Sequence, residues 1–124
     1  MIDFENGDVI KLHRIDNEDV SEHVLELFID GERLIGAYKT MRDSVVFTNK
    51  RVIAVNVQGT TGKKTDYLSL PYSKITAYSV ETSGVIDIDS ELELYFSGLG
   101  QVAFEFTGTS DVREICRVIS EFIL

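Results

Sequence analysis

Hydrophobic and polar positions along this chain follow two different periods. Over residues 16–28 the apolar residues Val20, Val24, Leu27 and Phe28 recur at helical spacing. Asp16, Asn17 and Asp19 stand at the start of that run, where capping oxygens and negative charge favour a helix, so the pattern predicts one amphipathic helix. Asp30-Gly31 ends it, because both residues readily take turn or left-handed conformations. Beyond that break the pattern is that of about seven short strands, around 34–40, 44–48, 52–57, 65–70, 75–82, 91–96 and 101–106. The links between them are short, whereas a parallel crossover needs a dozen or more residues. Consecutive strands are therefore predicted to run antiparallel as a meander of hairpins.

The strands differ in how they expect to be covered. Leu92, Leu94 and Phe96 alternate with Glu91, Glu93 and Tyr95, and Val102, Phe104 and Phe106 alternate with Gln101, Ala103 and Glu105, so each of these strands has one core face and one wetter face. The run 52–57 is apolar on both sides; its outer face calls for cover by a subunit interface or by the N-terminal helix. Thr48-Asn49-Lys50-Arg51 reads as a hairpin in which Asn49 supplies positive φ. Asp111 with Glu114 reads as a capping box for a last helix whose Val112, Ile115, Cys116, Ile119, Phe122 and Ile123 share one face. That helix is predicted to pack on the sheet.

Between residues 32 and 84 the chain resembles the bacterial pleckstrin homology family. The resemblance runs through Asp30-Gly31-Glu32, Ala37-Tyr38-Lys39, Arg42-Asp43 and above all Val46-Phe47-Thr48-Asn49-Lys50-Arg51-Val52-Ile53. It continues through the 58–64 segment, Tyr67-Leu68-Ser69-Leu70-Pro71-Tyr72 and Ser79-Val80-Glu81-Thr82-Ser83-Gly84. The resemblance implies a mostly β fold, a pleckstrin-homology-like partly open antiparallel barrel with a C-terminal capping helix and, here, an N-terminal helix. It also implies a tendency to form ring-shaped homo-oligomers. It brings no established ligand or catalytic residue. The expected organisation is a helical segment over 1–29 and the family-like domain over 30–124, one globular unit overall.

Composition narrows the partners. Twelve basic against twenty-one acidic residues give a formal charge of -9, so the summed field repels phosphate backbones and anionic headgroups, and nucleic acid is not an expected partner. One cysteine, Cys116, excludes an internal disulfide, and no apolar run approaches a membrane span. The chain is read as cytoplasmic.

Candidate chemistry is sparse. Lys39, Arg42, Lys63 and Lys64 are the basic residues best placed for an anion or a lipid headgroup, because eukaryotic pleckstrin homology domains bind inositol phosphates through basic residues on their first two strands. Against that stands Asp43, whose carboxylate repels phosphate. The run Gly59-Thr60-Thr61-Gly62-Lys63-Lys64 lacks the first glycine and the hydroxyl residue of a phosphate-binding loop, and no helix is readable after it. Asp87, Asp89, Glu91 and Glu93 alternate on what reads as an extended segment without the spacing of a calcium loop. His13 and His23 read as surface residues and Cys116 as a small buried hydrophobe with a raised pKa. No cofactor or metal is expected. The sequence reads as a non-catalytic binding and assembly module, a homo-oligomeric ring presenting a protein or peptide surface; the alternative is a peripheral phospholipid sensor.

Overall fold

The computed structural model describes residues 9–59 and 64–124. Its frame is one eight-stranded sheet curled into a partly open barrel: β1 (Val9–Ile15), β2 (Leu34–Thr40), β3 (Asp43–Thr48), β4 (Arg51–Gln58), β5 (Lys64–Pro71), β6 (Ile75–Glu81), β7 (Glu91–Phe96) and β8 (Gly100–Thr107). Its order is β5-β4-β3-β2-β1-β8-β7-β6. Seven of these strands lie where hydrophobic alternation and turn residues placed them. The eighth, β1, falls in the segment expected to be helical, and it pairs antiparallel with β2 but parallel with β8. The loop-length rule is untouched by this, because the chain between β1 and β8 is itself the connection. Two antiparallel meanders, β2 to β5 and β6 to β8, are thus joined edge to edge through β1.

The helix expected over 16–28 is reduced to a 3-10 turn, Asn17–Asp19, and one helical turn, α1 (Glu22–Leu25). A helix nucleus is costly and persists where a face is buried. Here Val20 and Val24 are buried while Leu25 and Leu27 are largely exposed. The segment lies flat on the outer face of the sheet, where Val20 and Val24 cover Ala37, Val46, Ile53 and Val55, with Phe28 packed alongside. The unmet cover on the outer side of β4 is therefore supplied from within the chain.

The main core fills the concave side. Tyr38, Phe47, Phe104 and Phe106 form an aromatic cluster with ring centroids as close as 4.9 Å between Tyr38 and Phe106. Such tilted and edge-on contacts contribute about 0.5–1.5 kcal/mol each beyond burial. The C-terminal helix α2 (Val112–Ile123) closes the barrel with Val112, Ile115, Val118 and Ile119. Asp111 precedes α2 but makes no side-chain cap. Its carboxylate is drawn instead to Tyr38, whose hydroxyl donates to Asp111 Oδ2 at 2.8 Å, and to Arg14 at 3.2 Å. The Asp111 amide returns a hydrogen bond to the Tyr38 hydroxyl at 2.8 Å. Gly36 permits this junction, because a Cβ there would collide with the Asp111 carboxylate.

Candidate functional site

The residues that carry the family resemblance are joined in a structural network rather than a site. Glu32, whose side chain is fully buried, accepts hydrogen bonds from Arg51 Nε at 2.9 Å and Arg51 Nη2 at 3.0 Å, and from the Thr48 hydroxyl at 2.7 Å. Burial works to raise its pKa, and the bonds from Arg51, Thr48 and the Ile29 amide outweigh burial, so the carboxyl sits below the ordinary glutamate value. Asn49 does not take positive φ. Its side chain ties the 31–33 turn to the hairpin, accepting from the Arg33 amide at 2.7 Å and donating to the Gly31 carbonyl at 3.0 Å. Among the described non-glycine residues positive φ is found instead at Met41 (45°), in the β2–β3 turn, and at Asp89 (48°).

The basic residues singled out from the sequence do not form one cluster among the described residues. Lys39 follows the core residue Tyr38, so strand alternation sends it to the outer face with Ala37. Lys64 pairs with Gln58 at the start of β5 and shares the inward parity of Leu68. Arg42 donates to the Gly59 carbonyl at 2.6 Å. Lys63 lies outside the described residues. Asp43, which argued against phosphate, is used internally, accepting from the Val57 amide at 2.8 Å.

The acidic run also separates. Asp87 and Asp89 lie in a turn rather than an extended segment. Asp87 holds the start of α2 through the Arg113 amide at 2.9 Å and Arg113 Nε at 3.3 Å, and Asp89 accepts from the Gly108 amide at 2.6 Å. Glu91 faces Glu81 on one side and Glu105 on the other in register, with Glu93 next along β7. Partial burial and the charges of Glu93, Glu81 and Glu105 push the Glu91 pKa up. Among the described residues no three His, Cys, Asp or Glu are placed to hold a metal ion. His13 belongs to β1 and His23 to α1, where it lies 3.8 Å from Glu26.

Two clefts remain. One, about 440 Å³, opens where β1 parts from the β2–β3 turn, with Val45, Ala54 and Asn56 at its base. The other, about 500 Å³, runs between β6 and α2. Tyr78 and Val80 of β6 with Ile86 form its sheet side; Cys116 and Ser120, flanked by Arg113, Arg117 and Glu121, form its helix side. The Tyr78 and Ser120 hydroxyls are 2.6 Å apart, fixing the helix against the strand. Burial first, and then the Asp87 carboxylate, raise the Cys116 pKa to about 12, so the thiol in this groove is no nucleophile near neutral pH.

The β6 strand beside the groove is a free edge: among the described residues it pairs with β7 alone. The opposite edge, β5, carries Lys64, Asp66 and Pro71, the residue types that blunt strand edges. In β6, Ile-Thr-Ala-Tyr-Ser-Val-Glu, the single charge comes at the end, at Glu81. Sequence reading missed this site because its parts come from three separate stretches. The signal it offered was the uncharged, alternating run before Glu81.

A family model described as "Bacterial PH domain" matches residues 3–123. The uncharacterized protein YjqA of Bacillus subtilis (strain 168) is 42% identical over 103 residues, 82% of this chain and 82% of that protein. The uncharacterized protein YozO of the same organism is 30% identical over 97 residues, covering 78% of this chain and 83% of its own length. Among solved structures, a DUF1696 family protein with a pleckstrin-homology domain from Shewanella loihica PV-4 superposes with a TM-score of 0.71 at 38% identity, covering 93% of this chain and 99% of that one. A pleckstrin homology domain from Shewanella amazonensis SB2B gives 0.57 at 39% identity, covering 89% and 90%.

Proposed function

The chain belongs to the bacterial PH domain family, and from that premise we propose that it is a non-catalytic module that assembles with copies of itself and offers a strand edge to a protein or peptide. The observation that carries the binding half is the free β6 edge beside the groove under α2, which past an irregularity at Ile75–Ala77 runs regularly and carries a charge only at its end, Glu81. An extended segment laid there gains main-chain hydrogen bonds from the edge and apolar contacts from Tyr78, Val80 and Ile86.

Assembly into a ring requires two unlike patches that meet head to tail. Exposed apolar residues support such a reading on two separate parts of the surface: Leu25, Leu27 and Ile29 beside the Glu32–Arg51 network, and Val85 and Ile88 beside the start of α2. The experiment is absolute mass by light scattering coupled to size exclusion over a range of protein concentrations. A stable species of three or more copies is expected, and Leu27→Lys shifts it toward monomer. A monomer at every concentration overturns the assembly half. For the binding half, a displayed library of extended peptides is expected to yield binders to the full chain that fail on Val80→Asp with its circular dichroism unchanged.

A further inference from the structure

The β6 edge has two sides, and their chemistry differs. Residues of an added strand alternate between them, as in any sheet. On one side lie Tyr78 and Val80, packed toward the core, with the groove under α2. On the other lie Ala77, Ser79 and Glu81, and behind Glu81 the register continues into Glu91 and Glu105, with Glu93 opposite Ser79. Four carboxylates therefore stand on the outer face next to the free edge. None of the four is in a salt bridge among the described residues; Lys11 stands opposite Glu105 in register on β1, so the end of the row nearest the free edge, Glu81, Glu91 and Glu93, is the part without a basic neighbour in register. The chain as a whole carries a formal charge of -9, so its long-range field adds to the local one.

Resting on the binding reading above, we infer that the partner segment is an extended strand whose alternate residues are apolar and basic, apolar side chains entering the groove and lysine or arginine side chains lying over Glu81, Glu91 and Glu93. Adjacent strands are spaced about 4.8 Å apart. Glu81 is then a direct cross-strand neighbour of the added strand, and Glu91 and Glu93 fall within reach of a long basic side chain. Opposite charges placed so favour the pairing, and like charges oppose it. Burial first, and then the charges of Glu93, Glu81 and Glu105, raise the Glu91 pKa, and a cation laid over them offsets the second cause.

The test uses the full chain and four synthetic peptides of equal length: alternating valine and lysine, alternating valine and glutamate, alternating valine and serine, and the valine–lysine composition in scrambled order. Binding is read by fluorescence anisotropy at low and high salt, and its location by amide hydrogen exchange. The valine–lysine peptide is expected to bind at least tenfold more tightly than the serine or glutamate peptide, to weaken with salt, and to protect β6 amides. Glu91→Lys together with Glu93→Lys, both on an outer face, is expected to remove that tenfold advantage without loss of fold. Equal affinity for the lysine and serine peptides, with β6 protected by both, overturns the charge inference and leaves the groove reading standing. Equal affinity for the ordered and scrambled lysine peptides overturns the alternating-strand inference. Failure of all four to protect β6 overturns the groove reading itself.

Discussion

On the outer face of β3 and β4, the apolar residues Val46, Ile53 and Val55 lie beneath Val20 and Val24, whereas the outer face of β7 carries Glu91, Glu93 and Tyr95 with no segment of the described chain laid over it. One half of the sheet has its second face closed from within; the other keeps it open and acidic. Their carboxylates behave in opposite ways. Glu32, sealed under the covered half, is held by Arg51 and Thr48 with its pKa lowered, while Glu91 on the open half faces other carboxylates with its pKa raised. The difference separates stability from availability: the covered half contributes internal contacts, and the open half keeps an unneutralised surface next to a free edge.

The largest test of that contrast is Glu32→Ala, which leaves Arg51 without its carboxylate, holding only the Ser69 hydroxyl and the Leu27 carbonyl. Removing one member of a buried pair costs about 3–5 kcal/mol, and urea unfolding should show a loss of that order; a loss below about 1 kcal/mol would erase the distinction between the halves. Next is Val24→Ala, expected to cost about 2 kcal/mol through lost burial and an incompletely collapsed cavity, against a change within about 0.5 kcal/mol for Glu93→Ala on the open face. Smallest is Glu91→Gln, expected to raise stability by less than about 1 kcal/mol near neutral pH, since it removes a partly buried charge and its like-charge contacts at a largely open face.

The pH profiles of the two glutamates should cross. For Glu91 the folded pKa lies above 4.5, so the folded state binds the proton more tightly and stability falls as pH rises through that folded value. The advantage of Glu91→Gln therefore appears above that range and vanishes at lower pH. For Glu32 the folded pKa lies below 4.5, so its contribution is complete above that value and is lost as pH falls through the lowered one. Thermal unfolding of both variants from acid to neutral pH checks the signs.

Alternation made most of the fold legible. Leu92, Leu94 and Phe96, and Val102, Phe104 and Phe106, fixed both the strands and their buried faces, because period-two spacing admits one inward set. In β1 the inward residues Ile10 and Leu12 are followed at the same parity by Arg14, which leaves the core to meet Asp111 at the barrel end; the charge concealed the strand. Over 16–28 the spacing matched a helix, yet the surface to be covered is a sheet, and two valines with short turns suffice to cover it. The basic residues were chosen by type and nearness in sequence, and neither tells which face of a sheet a side chain takes. Lys39 and Lys64 consequently part company. The groove needed β6, the 82–90 loop and α2 together, a juxtaposition made by topology rather than by any local pattern.

The parallel pairing of β1 with β8 carries a consequence for the order in which the chain acquires its shape. Val9 meets Ala103 and His13 meets Thr107, contacts that span most of the sequence, and loop-closure entropy makes such pairings late and slow to form. During synthesis the β2–β5 meander can be complete while β1 still has one side open, waiting for β8 to leave the ribosome. The strand that joins the two meanders is made before either of them, and the seam it closes is among the last to shut.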